Sequence, residues 1–145
     1  MTQPIWYRRP TLAELNQPTP TMNAQLGIEF IEVGDDYLKA KMPVDHRTHQ
    51  PMGLLHGGAS VALAETLGSS GAYLAVDTSK YNVVGLINAN HIRGVRSGFV
   101  IGTARPLHIG KTTHVWEIRI TDEADKLVAI TRITIAILSK ASAAT

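Results

Sequence analysis

The feature that most limits the fold is the run GGASVALAETLGSSGAYLAV at residues 57–76. It consists almost entirely of apolar and small residues, without the alternation of a strand, and it is too long for one strand. Since it lacks a polar face, it predicts a helix that is buried on every side. Its many glycine, alanine and serine residues allow other segments to approach the helix closely. The only charged residue in the run is Glu65.

Shorter patterns on both sides of this helix predict a sheet. Thr11–Asn16 has the composition of a short helix, with Thr11 as N-cap and Glu14 at capping-box spacing. Pro43 to Gly53 has the composition of a loop. Six segments read as strands: 25–33, 37–42, 83–93, 98–106, 113–121 and 127–138. One long helix and about six largely antiparallel strands predict an α+β domain in which the sheet wraps round the helix.

Alternation and turn residues predict how several strands pair and face. Gly34-Asp35-Asp36 predicts a turn that joins the first two strands, and residues 122–125 predict one that joins the last two. In VWEIRIT, the side chains of Trp116, Ile118 and Ile120 should share one face of their strand.

Length and composition predict one domain over residues 1–145, with 1–20 as an N-terminal helix and arm and 139–145 as a flexible tail. The formal charge of +2 and the absence of charge blocks argue against nucleic acid and membrane partners. The N-terminus has arginines but no apolar run behind them, so no signal peptide is expected. The chain has no cysteine, which excludes disulfides, thiolate zinc sites and cysteine nucleophiles and suits the cytoplasm.

The solitary charge of Glu65 is the first candidate for chemistry. Its helical neighbours are Val61, Ala62, Gly68 and Ser69, and none of them is a cation. An ionised carboxylate in apolar surroundings is expensive unless it is paired or wetted, so unexplained buried acids are often functional. The Ser69 hydroxyl lies one turn along and could bind the carboxylate. The alternative is an ordinary solvated surface glutamate.

The start of the same helix offers the complementary chemistry. His56-Gly57-Gly58 places free backbone N–H groups and the positive end of the helix dipole at the first turn. Such donors suit an oxyanion hole, which stabilises the negative charge of an acyl-transfer transition state. The alternative is that the two glycines only permit close packing.

Helix geometry links these two groups to assembly. Gly57 and Glu65 are eight residues apart, which places them about 12 Å from each other along one helix. A single carbonyl cannot contact both, since each contact needs about 3 Å. A catalytic interpretation therefore predicts a homodimer at least, in which each site combines Gly57 of one chain with Glu65 of the other.

Three segments carry a family resemblance: QPMGLLHGGASVALAETLGSSGAYL, NVVGLINANHIR and PLHIGKTTHVWEIRI. Together they resemble the hotdog-fold acyl-CoA thioesterases of the phenylacetate-degradation type, over about residues 12–138. Within that family the chain looks closest to the branch of the 1,4-dihydroxy-2-naphthoyl-CoA hydrolases of menaquinone synthesis and the proofreading thioesterases of enterobactin synthesis. The resemblance implies the hotdog fold, a homotetramer built as a dimer of dimers, active sites at the dimer interface and hydrolysis of aromatic or hydroxyaryl acyl-CoA thioesters.

The resemblance also implies residue roles. Glu65 would attack the thioester carbonyl or activate a water, and the Gly57 amide would hold the oxyanion. His56 would polarise the carbonyl, Gln50 would orient the thioester or the water, and Ser69 would position Glu65 or contact the acyl group. The matching positions for coenzyme A are Gly85, His91, Ile92, Arg93, Gly94, His108, Ile109, Gly110, Lys111, Thr112 and Thr113. No metal and no cofactor besides the coenzyme A of the substrate is expected.

Other functional classes have less support in the sequence. His46 and His49 lie three apart, but without cysteine, HExxH or paired carboxylates a catalytic metal is disfavoured. The phosphate-binding and serine-hydrolase motifs are absent. Two alternatives remain: a hotdog hydratase or dehydratase using His56 and Glu65, and a non-catalytic acyl-CoA sensor. Whether the thioester is carried by coenzyme A or by a carrier protein also stays open.

Overall fold

The computed structural model describes residues 3–141, which form a six-stranded antiparallel sheet wrapped round one long helix. The helices are α1 (Leu12–Leu15), α2 (Met22–Leu26) and α3 (Gly57–Ala75), and the strands are β1 (Glu29–Val33), β2 (Leu38–Pro43), β3 (Tyr81–His91), β4 (Phe99–Ile109), β5 (Thr113–Asp122) and β6 (Leu127–Ser139). The strand order is β1-β2-β4-β5-β6-β3. The predicted α+β architecture is confirmed.

The core lies between α3 and the inner face of the sheet. The predicted alternation in β5 is confirmed, because Trp116, Ile118 and Ile120 are all completely buried. Small residues let the helix approach: a Cβ on Gly71 would lie 2.8 Å from the Trp116 ring, and one on Gly68 would lie 2.5 Å from Ile133. The small residues of the helix therefore serve close packing, as expected from the sequence.

One face of α3 departs from expectation. Tyr73 is 52% exposed, and Val61, Ala62, Glu65 and Ser69 are only half-buried. The prediction of a helix buried on every side is therefore wrong for the single chain. The sheet covers one face of the helix and leaves the opposite face, which carries Glu65, partly open.

The first predicted strand is also wrong at its start. Residues 25 and 26 belong to α2, and β1 begins only at Glu29. The Thr21 side chain accepts a hydrogen bond from the Ala24 N–H at the start of α2, and Gly27 ends this helix with φ of 71°. A cap followed by a left-handed glycine is a helix signature, and these local signals outweigh the apolar composition of the segment.

The N-terminal arm is held against the fold. The predicted capping box between Thr11 and Glu14 is present. Trp6 stacks on Trp116 at 6.3 Å between ring centroids, and its indole N–H donates to the Gly34 carbonyl at 2.7 Å. The Tyr7 N–H donates to the carbonyl of Leu74 near the end of α3. The arm therefore closes the core at this end of the helix.

At the other terminus, β6 extends through Ser139, and the Lys140 N–H donates to the Lys80 carbonyl. Residues 142–145 of the predicted tail lie outside the described residues. Between residues 3 and 141, no helix combines the length and apolar character needed to cross a bilayer.

Candidate active site

The loop before α3 fixes Gln50. The Gln50 N–H donates to the Leu54 carbonyl at 2.8 Å, and the Gln50 carbonyl accepts from the Gly53 N–H at 2.9 Å. The Met52 N–H donates to the side-chain oxygen of Gln50. With its oxygen engaged in this way, Gln50 has its NH2 group left as a donor for a ligand.

His56 caps the helix and controls which backbone donors are free. The Gly58 N–H donates to Nδ1 of His56 at 2.8 Å. An Nδ1 that accepts has no proton in the neutral ring, so Nε2 carries the proton and is a donor. Among the described residues the Gly57 N–H has no acceptor, as expected at the first helical position. The helix start thus offers two donors, Gly57 N–H and His56 Nε2–H.

A cleft of about 340 Å³ opens at this helix start. We call it the α3 cleft; it is lined by Gln50, Leu54, Leu55, Gly57, Ser60, His91, Ile92, Arg93, Gly94 and Val128. It joins predicted catalytic positions with four of the positions predicted for coenzyme A. A Cβ on Gly57 would lie 2.9 Å from Nε2 of His91, so a larger residue here would require the His91 ring to shift. The Leu54 side chain occupies the space next to Gly94.

Glu65 lies outside the α3 cleft, on the open face of α3. The Ser69 hydroxyl donates to the Glu65 carboxylate at 3.2 Å, as expected from the sequence. Gly85 of β3 lies opposite, and a Cβ at Gly85 would come within 3.3 Å of the same carboxylate oxygen. In residues 3–141, Glu65 forms no ion pair. The carboxylate therefore has one hydroxyl partner and no cation to neutralise it.

An apolar groove adjoins Ser69. It has a volume of about 340 Å³ and is lined by Leu15, Ser69, Ser70, Tyr73, Leu74 and Val83. We call it the Tyr73 groove. Its position on the open face of α3 places an apolar surface beside the Ser69–Glu65 pair.

The structure separates the positions predicted for coenzyme A into two groups. His91–Gly94 lie in the α3 cleft, while Gly110–Thr112 form the turn between β4 and β5. Val84 lies opposite Ala136, which lies opposite Thr113. Because His91 is seven residues from Val84 along β3, the two groups are about 23 Å apart in one chain. The predicted set therefore does not form a single site within one chain.

The charges in these two groups differ in their surroundings. The guanidinium of Arg93 lies 3.4 Å from the carboxylate of Asp122, and about half of its side chain is exposed. Lys111 is exposed at the β4–β5 turn. Either cation can reach an anionic ligand, but Arg93 already has a carboxylate neighbour.

His114 lies beside the β4–β5 turn and differs from the other histidines. Its side chain is 1% exposed, and its Nδ1 has no hydrogen-bond partner among the described residues. Burial lowers the pKa of the His114 imidazole, and the nearby His108 lowers it further. Both effects favour the neutral imidazole of His114, a feature that the sequence did not single out.

Sequence reasoning also missed Ser60 and the aliphatic residues of the α3 cleft. Ser60 looked like one more small residue of a packed helix, and Val128 belongs to a strand remote in sequence. A metal centre has no structural counterpart in the described part of the chain, because no three potential ligands lie close together.

Comparisons with known proteins agree with this architecture. The thioesterase superfamily matches residues 52–129. The 1,4-dihydroxy-2-naphthoyl-CoA hydrolase of Escherichia coli is 52% identical over 136 residues, covering 92% of this chain and 99% of that protein. The proofreading thioesterase EntH of Cronobacter turicensis is 48% identical over 135 residues, covering 92% of this chain and 98% of that protein.

A solved structure extends the agreement to the backbone. The crystal structure of a mutant of the thioesterase PA1618 from Pseudomonas aeruginosa matches with a TM-score of 0.91 and 51% sequence identity. The match covers 94% of this chain and 99% of that chain. The chain therefore belongs to the thioesterase superfamily and is a thioester hydrolase with the hotdog fold.

Proposed function

We propose that this thioesterase hydrolyses aromatic or hydroxyaryl acyl-CoA thioesters and that Glu65 is its catalytic carboxylate. The observation that carries the proposal is the Glu65 carboxylate itself, which is half-buried, bound by the Ser69 hydroxyl and without an ion-pair partner in residues 3–141. An unpaired carboxylate on an apolar helix is available either to attack the thioester carbon or to take a proton from water.

In the proposed reaction the donors at the start of α3 bind the thioester oxygen. The Gly57 N–H and His56 Nε2–H lie where the helix dipole also favours negative charge. If Glu65 acts as a base, water adds to the carbonyl carbon and coenzyme A leaves as the thiol. If Glu65 acts as a nucleophile, its oxygen bonds to the carbonyl carbon, the C–S bond breaks and coenzyme A leaves as a thiolate that takes a proton from water. Water then hydrolyses the acyl-enzyme anhydride, which releases the free acid and restores the Glu65 carboxylate.

The aromatic preference rests on two observations. The Tyr73 groove places an apolar wall beside the Ser69–Glu65 pair, where the acyl group would lie. The relative from Escherichia coli is named for a naphthoyl-CoA substrate. We therefore propose an aryl acyl group, with 1,4-dihydroxy-2-naphthoyl-CoA as the first candidate. No cofactor is required, since coenzyme A is part of the substrate.

The site requires a second copy of the chain in this proposal. Gly57 and Glu65 lie in the same helix, about 12 Å apart, so one thioester carbonyl cannot contact both in one chain. A two-fold axis that brings two α3 helices side by side in antiparallel directions would place Gly57 of one chain near Glu65 of the other. It would also cover the open face of α3.

The edges of the sheet indicate where that axis lies. β1 has five residues, a bulge between Phe30 and Glu32, and charged side chains, all of which discourage pairing with another strand. β3 forms the other edge with eleven residues, and Leu86 on it is 77% exposed. We therefore propose that two β3 strands pair in antiparallel directions across the axis. Such a dimer would also carry His91 toward the partner's β4–β5 turn and reunite the two groups predicted for coenzyme A.

We further propose that two such dimers associate into a tetramer and that the protein is located in the cytoplasm. The chain has no cysteine, which suits a reducing compartment.

Thiol release tests the proposal. Purified protein is incubated with 1,4-dihydroxy-2-naphthoyl-CoA, benzoyl-CoA, a medium-chain acyl-CoA and an aroyl carrier protein, and free thiol is followed with a thiol-reactive dye. We expect the fastest release from an aryl-CoA and a loss of about 10²–10⁴-fold in kcat for Glu65→Gln. Glu117→Gln is the matched control, because Glu117 is a half-buried glutamate on the outer face of the sheet.

Three outcomes would contradict parts of the proposal. Full activity of Glu65→Gln would remove Glu65 from the chemistry. Preference for the medium-chain ester would remove the aryl specificity. Binding of aryl-CoA without thiol release would favour a sensor.

A further inference from the structure

Ser60 is a buried hydroxyl that the proposed chemistry has not used. It lies in the first turn of α3, its side chain is 2% exposed, and it lines the α3 cleft. The Ser60 hydroxyl forms no hydrogen bond with any other residue between 3 and 141, although its backbone N–H donates to the His56 carbonyl. Farther along the helix, the Thr66 hydroxyl donates to the Ala62 carbonyl and the Ser69 hydroxyl donates to Glu65. In residues 3–141 the fully buried side-chain polar atoms without a partner are Nδ1 of His114 and Nε1 of Trp116, so the Ser60 hydroxyl is not sealed in the core but is accessible from the α3 cleft.

The position of Ser60 directs its hydroxyl toward the oxyanion donors. Gly57 and Ser60 are three residues apart in α3, so they lie on the same side of the helix. Side chains of a helix tilt toward its N-terminus, which carries the Ser60 hydroxyl toward the free Gly57 N–H. Both residues line the same cleft as Gln50, whose side-chain oxygen accepts from the Met52 N–H.

Gln50, Gly57 and Ser60 form one wall of the α3 cleft, and their polar groups can all donate hydrogen bonds. The Gly57 N–H and the Gln50 NH2 group are donors, and a serine hydroxyl donates whenever an acceptor is supplied. A wall of donors with no carboxylate favours an oxygen atom that gains negative charge. A structural serine would instead be expected to donate to the carbonyl four residues earlier, as Thr66 does.

We propose that Ser60 is a further catalytic residue, whose hydroxyl donates to the thioester carbonyl oxygen beside the Gly57 N–H. This inference rests on the proposed function. As the carbonyl carbon is attacked, its oxygen becomes negative, and the hydroxyl and the amide share that charge. No proton is transferred from Ser60, and the hydrogen bond strengthens as the tetrahedral intermediate forms.

The test compares steady-state kinetics of Ser60→Ala with wild type on the aryl-CoA that wild type hydrolyses fastest. We expect kcat to fall about 10–100-fold, somewhat less than for loss of a backbone oxyanion donor, with KM within about twofold. Ser60→Cys keeps the size but donates weakly, so its kcat should lie between those of wild type and Ser60→Ala. The melting temperature of Ser60→Ala should be unchanged or higher, since alanine favours the helix.

Thr131→Val is the matched control for loss of a buried hydroxyl. Thr131 is 1% exposed, and its hydroxyl donates to the Ile118 carbonyl at 3.1 Å, outside the α3 cleft. The melting temperature of Thr131→Val should fall while its kcat stays within about twofold of wild type.

If Ser60→Ala keeps wild-type kcat while Glu65→Gln is inactive, the role of Ser60 is overturned and the proposed function stands. A wild type that releases no thiol from any thioester would overturn the proposed function and this role with it.

Discussion

The start and the middle of α3 differ in what they offer a substrate. At the start, Gly57 lines a cleft that has no carboxylate in its lining, and the His56 Nε2–H is a second donor at the same end of the helix. In the middle, Glu65 offers a carboxylate beside an apolar groove, with the Ser69 hydroxyl as its partner. One region can stabilise a negative oxygen, and the other can attack a carbon or accept a proton.

This difference explains why the single chain looks incomplete. The two regions are about 12 Å apart on one rigid helix, which no rotamer change can shorten to contact distance. The open face of α3 and the edge strand β3 both adjoin Glu65, since Gly85 of β3 lies close to its carboxylate. A second copy on that side would cover both and bring together the two halves of the chemistry.

After the loss expected for Glu65→Gln, the largest predicted effect comes from removing the Gly57 N–H. Gly57→Pro deletes this donor at the first helical position, where proline is well tolerated. His56 already has φ of −67° and ψ of 130°, which suits a residue before proline. We expect kcat to fall about 10²–10³-fold. Gly57→Ala is the control, because it keeps the N–H and, like proline, adds a Cβ close to His91. It should therefore lose far less activity than Gly57→Pro. Equal losses in the two variants would contradict the donor role of the Gly57 N–H.

The next largest effect is predicted for a substitution on β3, at the edge of the sheet. Leu86→Glu places a charge on β3 at a side chain that is 77% exposed, which should weaken pairing with a second β3. We expect sedimentation to show smaller species, with kcat per chain falling about tenfold or more at low protein concentration. Glu29→Lys changes charge on β1 and should leave assembly intact. A Leu86→Glu protein with wild-type assembly would move the interface away from this edge.

A smaller effect is predicted for the hydroxyl that holds the carboxylate. Ser69→Ala removes the 3.2 Å hydrogen bond to Glu65, and a hydrogen bond to a charged group contributes about 1.5–3 kcal/mol. We expect kcat to fall about tenfold or somewhat more, while Ser69→Thr, which keeps the hydroxyl, retains most activity. If Ser69→Ala changed only KM, Ser69 would act on the acyl group instead of on Glu65.

The smallest effect concerns stability. The lowered pKa of His114 means that the unfolded chain binds a proton more readily than the folded chain. Stability should therefore fall as the pH drops below about 6.5, the ordinary histidine pKa, and continue to fall until the folded-state pKa is passed. The melting temperature of wild type should decrease by a few degrees between pH 7.5 and 5.5, and His114→Gln should flatten this slope. An unchanged slope would assign the pH dependence to other groups.

The sequence predicted the parts of the fold that depend on local pattern. The apolar run gave α3 almost to the residue, and the capping box at Thr11 and the alternation in β5 were also predicted correctly. It missed α2, although Thr21 and Gly27 supply a cap and a left-handed end. α2 has only five residues, which is too short for hydrophobic periodicity to distinguish a helix from a strand.

The candidate site was less accessible to sequence reasoning. The hydrogen bond between Ser69 and Glu65 follows from spacing within one helix, so it could be foreseen. The approach of Gly85 to Glu65 and of His91 to Gly57 depends on how β3 packs against α3, which no local pattern records. Ser60 was missed because a serine among small apolar residues is typical of close helix packing.

The most direct test of the shared site is complementation between two inactive variants. Glu65→Gln and Gly57→Pro are unfolded together in equal amounts and refolded, so that half of the dimers contain one chain of each kind. If each site combines the start of one α3 with the middle of the other, every mixed dimer has one intact site, and the mixture regains about a quarter of wild-type activity. If each site lies within one chain, every site carries a defect and the mixture stays as inactive as its components, which would contradict the account.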